Sequence, residues 1–96
     1  MVFSRAILVA AELVDANLHK ADLKEADLSW TDLSETDLNG ASLCEAKLRG
    51  TDLKFTNLRK ADLTLADLRF ANLSGAHLSE AELSHAFLRE TIFCKY

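Results

Sequence analysis

The residues with the clearest capacity for chemistry are few and scattered. Three histidines (His19, His77, His85) and two cysteines (Cys44, Cys94) are the candidate metal ligands and nucleophiles. A zinc-type site needs three or four such ligands converging on one point. No HExxH, no GxSxG and no Gly-rich phosphate loop occurs. Carboxylates are plentiful, with 15 Asp and Glu against 11 Lys and Arg and a formal net charge of −4. That balance has the wrong sign for a general nucleic-acid binder and is too mild for a dense polyanion. One constellation is of another kind. Arg49, Arg69 and Arg89 recur at intervals of twenty, with Trp30 and Phe70 nearby in the same spacing frame. Arg and Trp are the residue types most enriched at protein-binding hot spots, and an Arg cluster also suits an anion.

What positions these residues is a repeat. Leucine stands at every fifth residue from Leu8 to Leu88, and Phe3 and Phe93 continue the phase at either end. No insertion breaks the register, so nineteen pentads cover residues 1–95 and define one domain over 1–96. Two residues before each of these Leu and before Phe93 lies a small residue, thirteen times Ala and five times Thr. Between them sits Asp or Asn in ten of the nineteen pentads. We number each pentad from its small residue, so that the Leu is position three.

A period of five excludes the usual elements. Successive Leu on an α-helix would lie ~140° apart and form no face. On a flat strand they would alternate between faces, because five is odd. Coiled coils and leucine-rich repeats have other periods. Positions one and three do share a face of a short extended piece, so the consistent solution is about three extended residues, then a corner. Positions one and three point inward and the rest outward. The chain has no Pro and only three Gly, so its turns must come from other residues. The Asp and Asn at position two are expected to bond nearby backbone amides. The inward Thr are expected to bond corner carbonyls.

The run of A-D/N-L-x-x units, as at 21–23 and 71–73, resembles the pentapeptide repeat family over essentially the whole chain. The resemblance implies an all-β fold, a right-handed quadrilateral parallel β-helix with four pentads per coil and nearly five coils. Residues twenty apart then stack. It also implies a non-enzymatic scaffold or protein-interaction module as the default role. A second role implied by the family is a DNA mimic that binds type II topoisomerase (DNA gyrase).

Folded at a period of twenty, the sequence gives four walls. The walls of Leu23, Leu28, Leu33 and Leu38 are called one to four, and they carry −3, +1, −3 and +1 charges respectively. A mimic of DNA needs long negative rows, and the Arg column on wall two departs from that pattern. The candidate protein-binding site is therefore the wall-two corner: Trp30, Arg49, Arg69, Phe70 and Arg89. The competing expectation is that these Arg turn toward Asp67 and Glu90 and pack over the rings. Phe55 and Leu65 are further outward apolar residues at neighbouring corners.

Position two becomes apolar at both ends, with Val2 and Ile7 at the start and Phe87 and Ile92 at the finish. Open solenoid ends expose core and unpaired backbone. Phe3, Ile7, Phe87, Ile92 and Phe93 are accordingly the candidate end-association residues, giving a homodimer stacked end to end through one terminus. The histidines fall in different columns, and Cys44 and Cys94 fall on opposite walls, so no metal site, disulfide, catalytic residue or cofactor is expected. The apolar opening MVFSRAILVAAELV is too short to span a membrane and lacks a cleavage pattern. Two cysteines without a disulfide framework suit a reducing, cytoplasmic setting. No membrane or direct nucleic-acid partner is expected.

Overall fold

The computed structural model describes residues 1–93. The chain runs as a coil of four pentads per turn: 1–20, 21–40, 41–60 and 61–80 are the first four coils, and 81–93 are the described part of the fifth. Parallel bridges join position two of each pentad to position two of the pentad twenty residues on, from Val2 with Asp22 through Asn72 with Ile92. The period-of-twenty stacking expected from the sequence is therefore present throughout.

Each corner is a four-residue turn. The position-one amide donates to the preceding position-three carbonyl, as from Ala46 to Leu43 at 3.0 Å. Every fifth residue from Arg5 to Glu90 has φ between 56° and 72°. Positive φ at the third turn residue alone is the mark of a type II turn, where Gly is the favoured occupant. Here only Gly40, Gly50 and Gly75 are glycines, and the other fifteen corners hold L-residues in the left-handed region. Such a conformation costs about 1–2 kcal/mol at each non-Gly residue. No corner from 5 to 90 carries Val, Ile or Thr, whose branched Cβ suits this region worst.

Because the backbone bends after every three residues, no two consecutive residues pair with the next coil. Among the described residues the pairing consists of single bridged residues, without longer strands. The short extended pieces expected from the sequence are this brief.

The backbone accounting of one pentad closes almost completely. The position-two amide donates to position one of the preceding coil (Ser42 to Ala21, 2.9 Å), and those of positions three and five donate to the following coil (Leu43 to Asp62, 2.7 Å; Glu45 to Thr64, 2.9 Å). Position one closes the turn. Only the position-four amide has no backbone acceptor, and an unpaired amide is costly where water is excluded. All ten Asp and Asn at position two meet it: each Oδ1 accepts from the amide two residues on at 3.0–3.1 Å, as in Lys24 to Asp22 and Ser74 to Asn72. The expected side-chain role in the turns is thus met at every such residue.

The interior is filled by stacked side chains. Leu18 and every position-three Leu from Leu23 to Leu73 are buried, with Ala between them. The inward Thr hydroxyls donate to position-three carbonyls, Thr36 to Leu33 at 2.7 Å and Thr51 to Leu48 at 2.8 Å, as their burial requires. Apart from Leu18, the Leu without a coil on one side differ. Leu8, Leu13, Leu78 and Leu83 are only partly buried and Leu88 is exposed, because each lacks a coil on one side.

Two expected outcomes follow from this packing and bonding. Leu48→Ala leaves a cavity between two complete coils and costs about 3–5 kcal/mol, whereas Leu8→Ala at the open rim costs less than half of that, as read by chemical denaturation. The carboxyls of Asp27, Asp32 and Asp62 are held below their ordinary 3.8, first by hydrogen bonds from the Ser29, Ser34 and Thr64 hydroxyls. A depressed folded-state value stabilises above the unfolded value and is lost as pH falls through the folded one. The triple Asp27→Asn/Asp32→Asn/Asp62→Asn variant retains the amide acceptors. It should therefore lose less melting temperature than wild type between about pH 5 and about pH 2.5.

Candidate functional site

The wall-two corner brings together the residues singled out in the sequence, with one addition. Position five of one coil donates its amide to position four of the next, so Trp30 is tied to Arg49 (2.9 Å), Gly50 to Arg69 (2.9 Å) and Phe70 to Arg89 (3.1 Å). The Arg column is therefore continuous along the backbone. Its side chains do not point alike. The Arg49 guanidinium lies over the Phe70 ring, 5.0 Å from the centroid. The Arg69 guanidinium lies over Phe87 at 6.0 Å and makes two bonds to Asp67, Nε to Oδ1 at 2.8 Å and Nη2 to Oδ2 at 2.7 Å. These bonds hold the Asp67 carboxyl below its ordinary range, with Arg69 hydrogen bonding the largest cause. Like charges stacked across neighbouring coils would otherwise repel. The expected turn of Arg69 toward Asp67 is present, as is the packing over rings. Neither Arg89 nor Glu90 has an ion-pair partner among the described residues.

Trp30 has a different support. Its indole lies over Gly50 in the next coil, in the space where any larger residue would place its Cβ. Phe55 covers Gly75 in the same way at the wall-three corner. Side chains at position five thus lean toward the following coil, and an aromatic ring finds its floor where that coil has Gly. Both supported rings remain open to solvent on their outer faces: Trp30 is 61% exposed and Phe55 62%. Phe70 and Phe87 are 38% and 54% exposed. The result is a ladder of Trp30, Arg49, Phe70, Arg69 and Phe87 climbing one corner, in which the Trp30 ring and the Arg49 and Arg69 guanidinium groups each rest on the next coil. The sequence reading assigned Phe87 only to the end of the rod. Its spacing of eighteen from Arg69, one coil on and two residues back, is the signal for the second contact.

Elsewhere the chemistry stays sparse. A shallow groove of about 310 Å³ on wall one is lined by Ser4, Arg5, Lys24, Glu25, Cys44 and Glu45. It is bridged by an Arg5–Glu25 ion pair at 2.8 Å between exposed side chains. Burial, then the Asp62 and Glu45 carboxylates, push the Cys44 thiol above its ordinary value, which disfavours the nucleophilic thiolate. Cys94 lies outside the described residues. Among the described residues no group of three or more His, Cys, Asp or Glu could hold a metal ion, and no helix is long and apolar enough to cross a membrane. Of the end residues, Phe3 is half-buried against the first-coil core, while Ile7, Phe87, Ile92 and Phe93 are exposed.

A chain that turns every five residues, pairs with itself every twenty and fills its own interior defines a quadrilateral solenoid of the β-helix class. The profile of the family described as Pentapeptide repeats matches residues 2–34, 26–64 and 61–95, with eight copies, and the chain belongs to that family.

Solved structures agree. A pentapeptide repeat protein from the cyanobacterium Cyanothece 51142 is 37% identical, with a TM-score of 0.63 over 92% of this chain and 64% of that one. A pentapeptide repeat protein of the Arabidopsis thaliana thylakoid lumen is 27% identical, with a TM-score of 0.54 over 93% of this chain and 59% of that one. QnrB1, a plasmid-mediated fluoroquinolone resistance protein, is 20% identical with a TM-score of 0.51 over 96% of this chain and 58% of that one, a likeness of fold alone. The chain spans less than two thirds of the length of each. Among proteins of curated function, none matches this sequence significantly.

The aromatic-over-glycine contact has a direct readout, because Trp30 is the sole tryptophan. Gly50→Ala forces a Cβ into the indole and into a positive-φ corner. The expected outcome is a red shift of tryptophan emission with a stability loss of about 1–2 kcal/mol, the cost of a Cβ in the left-handed region. Gly40→Ala, which meets only the Lys20 side chain, should leave the emission unchanged.

Proposed function

We propose that this chain is a non-enzymatic, protein-binding rod, a right-handed quadrilateral β-helix whose wall-two corner meets a partner in the cytoplasm. The observation that carries this reading is the ladder of exposed rings and guanidinium groups from Trp30 to Phe87. Rings and guanidinium planes already held by neighbours lose little freedom on binding, which is what makes them effective anchors. Arg49 and Arg89 lack an ion-pair partner among the described residues and offer their charge to an acidic or carbonyl-rich surface. Among the described residues the interior of the convex rod is filled by Leu, which favours binding over catalysis.

A second reading, mimicry of DNA toward a type II topoisomerase, draws on the two acidic walls and on the shared fold of the fluoroquinolone resistance protein QnrB1. The Arg column and the mild net charge of −4 weigh against it. Inhibition of gyrase supercoiling at micromolar protein would favour mimicry, and no inhibition would remove it.

Affinity capture from the native host, wild type against the Trp30→Ala/Arg69→Glu variant, tests the corner. The variant should lose the partner that wild type retains, by at least tenfold in recovered amount. Equal recovery by both proteins would refute the assignment.

A further inference from the structure

Wall four differs in composition from the other three. Three of the four Asn in the chain (Asn17, Asn39, Asn57) and two of the three His (His19, His77) stand on it. Its cations are Lys20, Arg59 and Lys60, and its only acids are Asp37 and Glu80.

Every other wall pairs at least one of its cations. Arg5 meets Glu25 and Lys24 meets Asp22 on wall one, Arg69 meets Asp67 on wall two, and Lys54 meets Asp52 on wall three. Among the described residues no cation of wall four has an ion-pair partner. The nearby carboxylates are engaged elsewhere. The Asp37 Oδ1 accepts from the Asn39 amide at 3.0 Å and from the Asn57 Nδ2 at 3.5 Å. Around the corner, Asp22 lies 3.9 Å from Lys24, and the Asp62 Oδ1 accepts from the amide and the hydroxyl of Thr64 at 3.0 Å and 2.6 Å.

The three cations share one corner. The Lys20 stem passes over Gly40, with its Cγ 3.2 Å from the place a Cβ would take there. That directs Lys20 across the second coil toward the third, where Arg59 and Lys60 are neighbours in the chain. The Gly40 amide donates to the Arg59 carbonyl at 2.9 Å and holds these coils together. Coils follow one another at ~4.8 Å, so the three cations fall within two coil heights. Like charges stacked in this way repel unless a counter-charge lies beside them. Position two carries the same sign. Asn17 and Asn57 cap their corner amides through Oδ1 at 3.1 Å, as Asp does on other walls, but each adds an amide donor in place of a negative charge.

The geometry points to an oxyanion from outside the chain as the counter-charge: wall four is a binding site for a phosphate-bearing ligand, held by Lys20, Arg59 and Lys60 around Gly40. A multiply charged phosphate matches three cations better than a single carboxylate does, and Arg and Lys both donate to phosphate oxygens. A soluble phosphate ester and a lipid phosphate headgroup share this chemistry. The site is separate from the wall-two corner and stands whether or not that corner binds a protein.

Pyrophosphate is the probe, titrated calorimetrically into the full chain at about 0.15 M salt, where exposed charges more than about 8 Å apart are largely screened. The expected result is one pyrophosphate bound per chain. Arg59→Gln/Lys60→Gln should weaken it about tenfold or more. Lys24→Gln/Lys54→Gln removes the same charge from walls one and three and should stay within about twofold of wild type. Circular dichroism checks that both variants keep the wild-type fold, and Lys60→Gln alone replaces the first if the double substitution unfolds it. Flotation with phosphatidylcholine vesicles, with and without phosphatidic acid, separates the two sources. Retention that needs phosphatidic acid and is lost in Arg59→Gln/Lys60→Gln, without pyrophosphate binding, keeps the site and assigns it to a headgroup. Binding of neither probe overturns the inference, as does equal weakening by the two variants.

Discussion

The left-handed residue at every fifth position is the constraint on which the rest of this structure depends. It closes a turn after three residues, and four such turns return the chain over its own start. Without it the small residue and the Leu of each pentad would not face a common interior. The conformation is unfavourable for an L-residue, and fifteen corners accept it without glycine. The compensation is collective. Each corner sits between a turn bond, bonds to both neighbouring coils, and a Leu stacked on other Leu. At ten pentads the Asp or Asn side chain also takes up the last free amide.

The same constraint decides what the surface can be. Positions one and three are committed to the interior, so any recognition must come from two, four and five. Position two is mostly spent on the corner amide. Position five carries no β-branched side chain from residue 5 to 90 but admits small, long, aromatic and glycine residues. Where position five of the next coil is Gly, a large ring can lie over it, as Trp30 does over Gly50 and Phe55 over Gly75, whereas Phe70 has Glu90 twenty residues on. At the wall-two corner this produces an ordered stack in which Arg49 and Arg69 are placed by rings as much as by charge. The repeat that makes the rod also fixes the distance between its recognition groups.

Much of this was legible in the residues. The uninterrupted Leu phase requires a coil, and position-two Asp and inward Thr have few other uses than the hydrogen bonds they make. Other features were not legible, for physical reasons. The brevity of the paired segments depends on backbone angles that the Leu phase does not report, although the absence of Val, Ile and Thr at position five is a trace of them. Burial of Leu8 and Leu88 is incomplete because packing needs a coil on both sides, which a periodic pattern cannot register at its ends. The floor beneath Trp30 is a glycine, a residue with no side chain to mark the contact. Phe87 took its place beside Arg69 through a diagonal between positions four and two, not through a column.

Nuclear Overhauser contacts in uniformly labelled protein test the central claim most directly. If the left-handed corners bring the chain round every twenty residues, backbone cross-peaks will link residues 19 to 21 apart along the rod, such as Leu43 with Asp62 and Asp62 with Ala41. A spectrum in which these residues show only sequential and helical short-range contacts would contradict the coil, the four walls and both surfaces built on them.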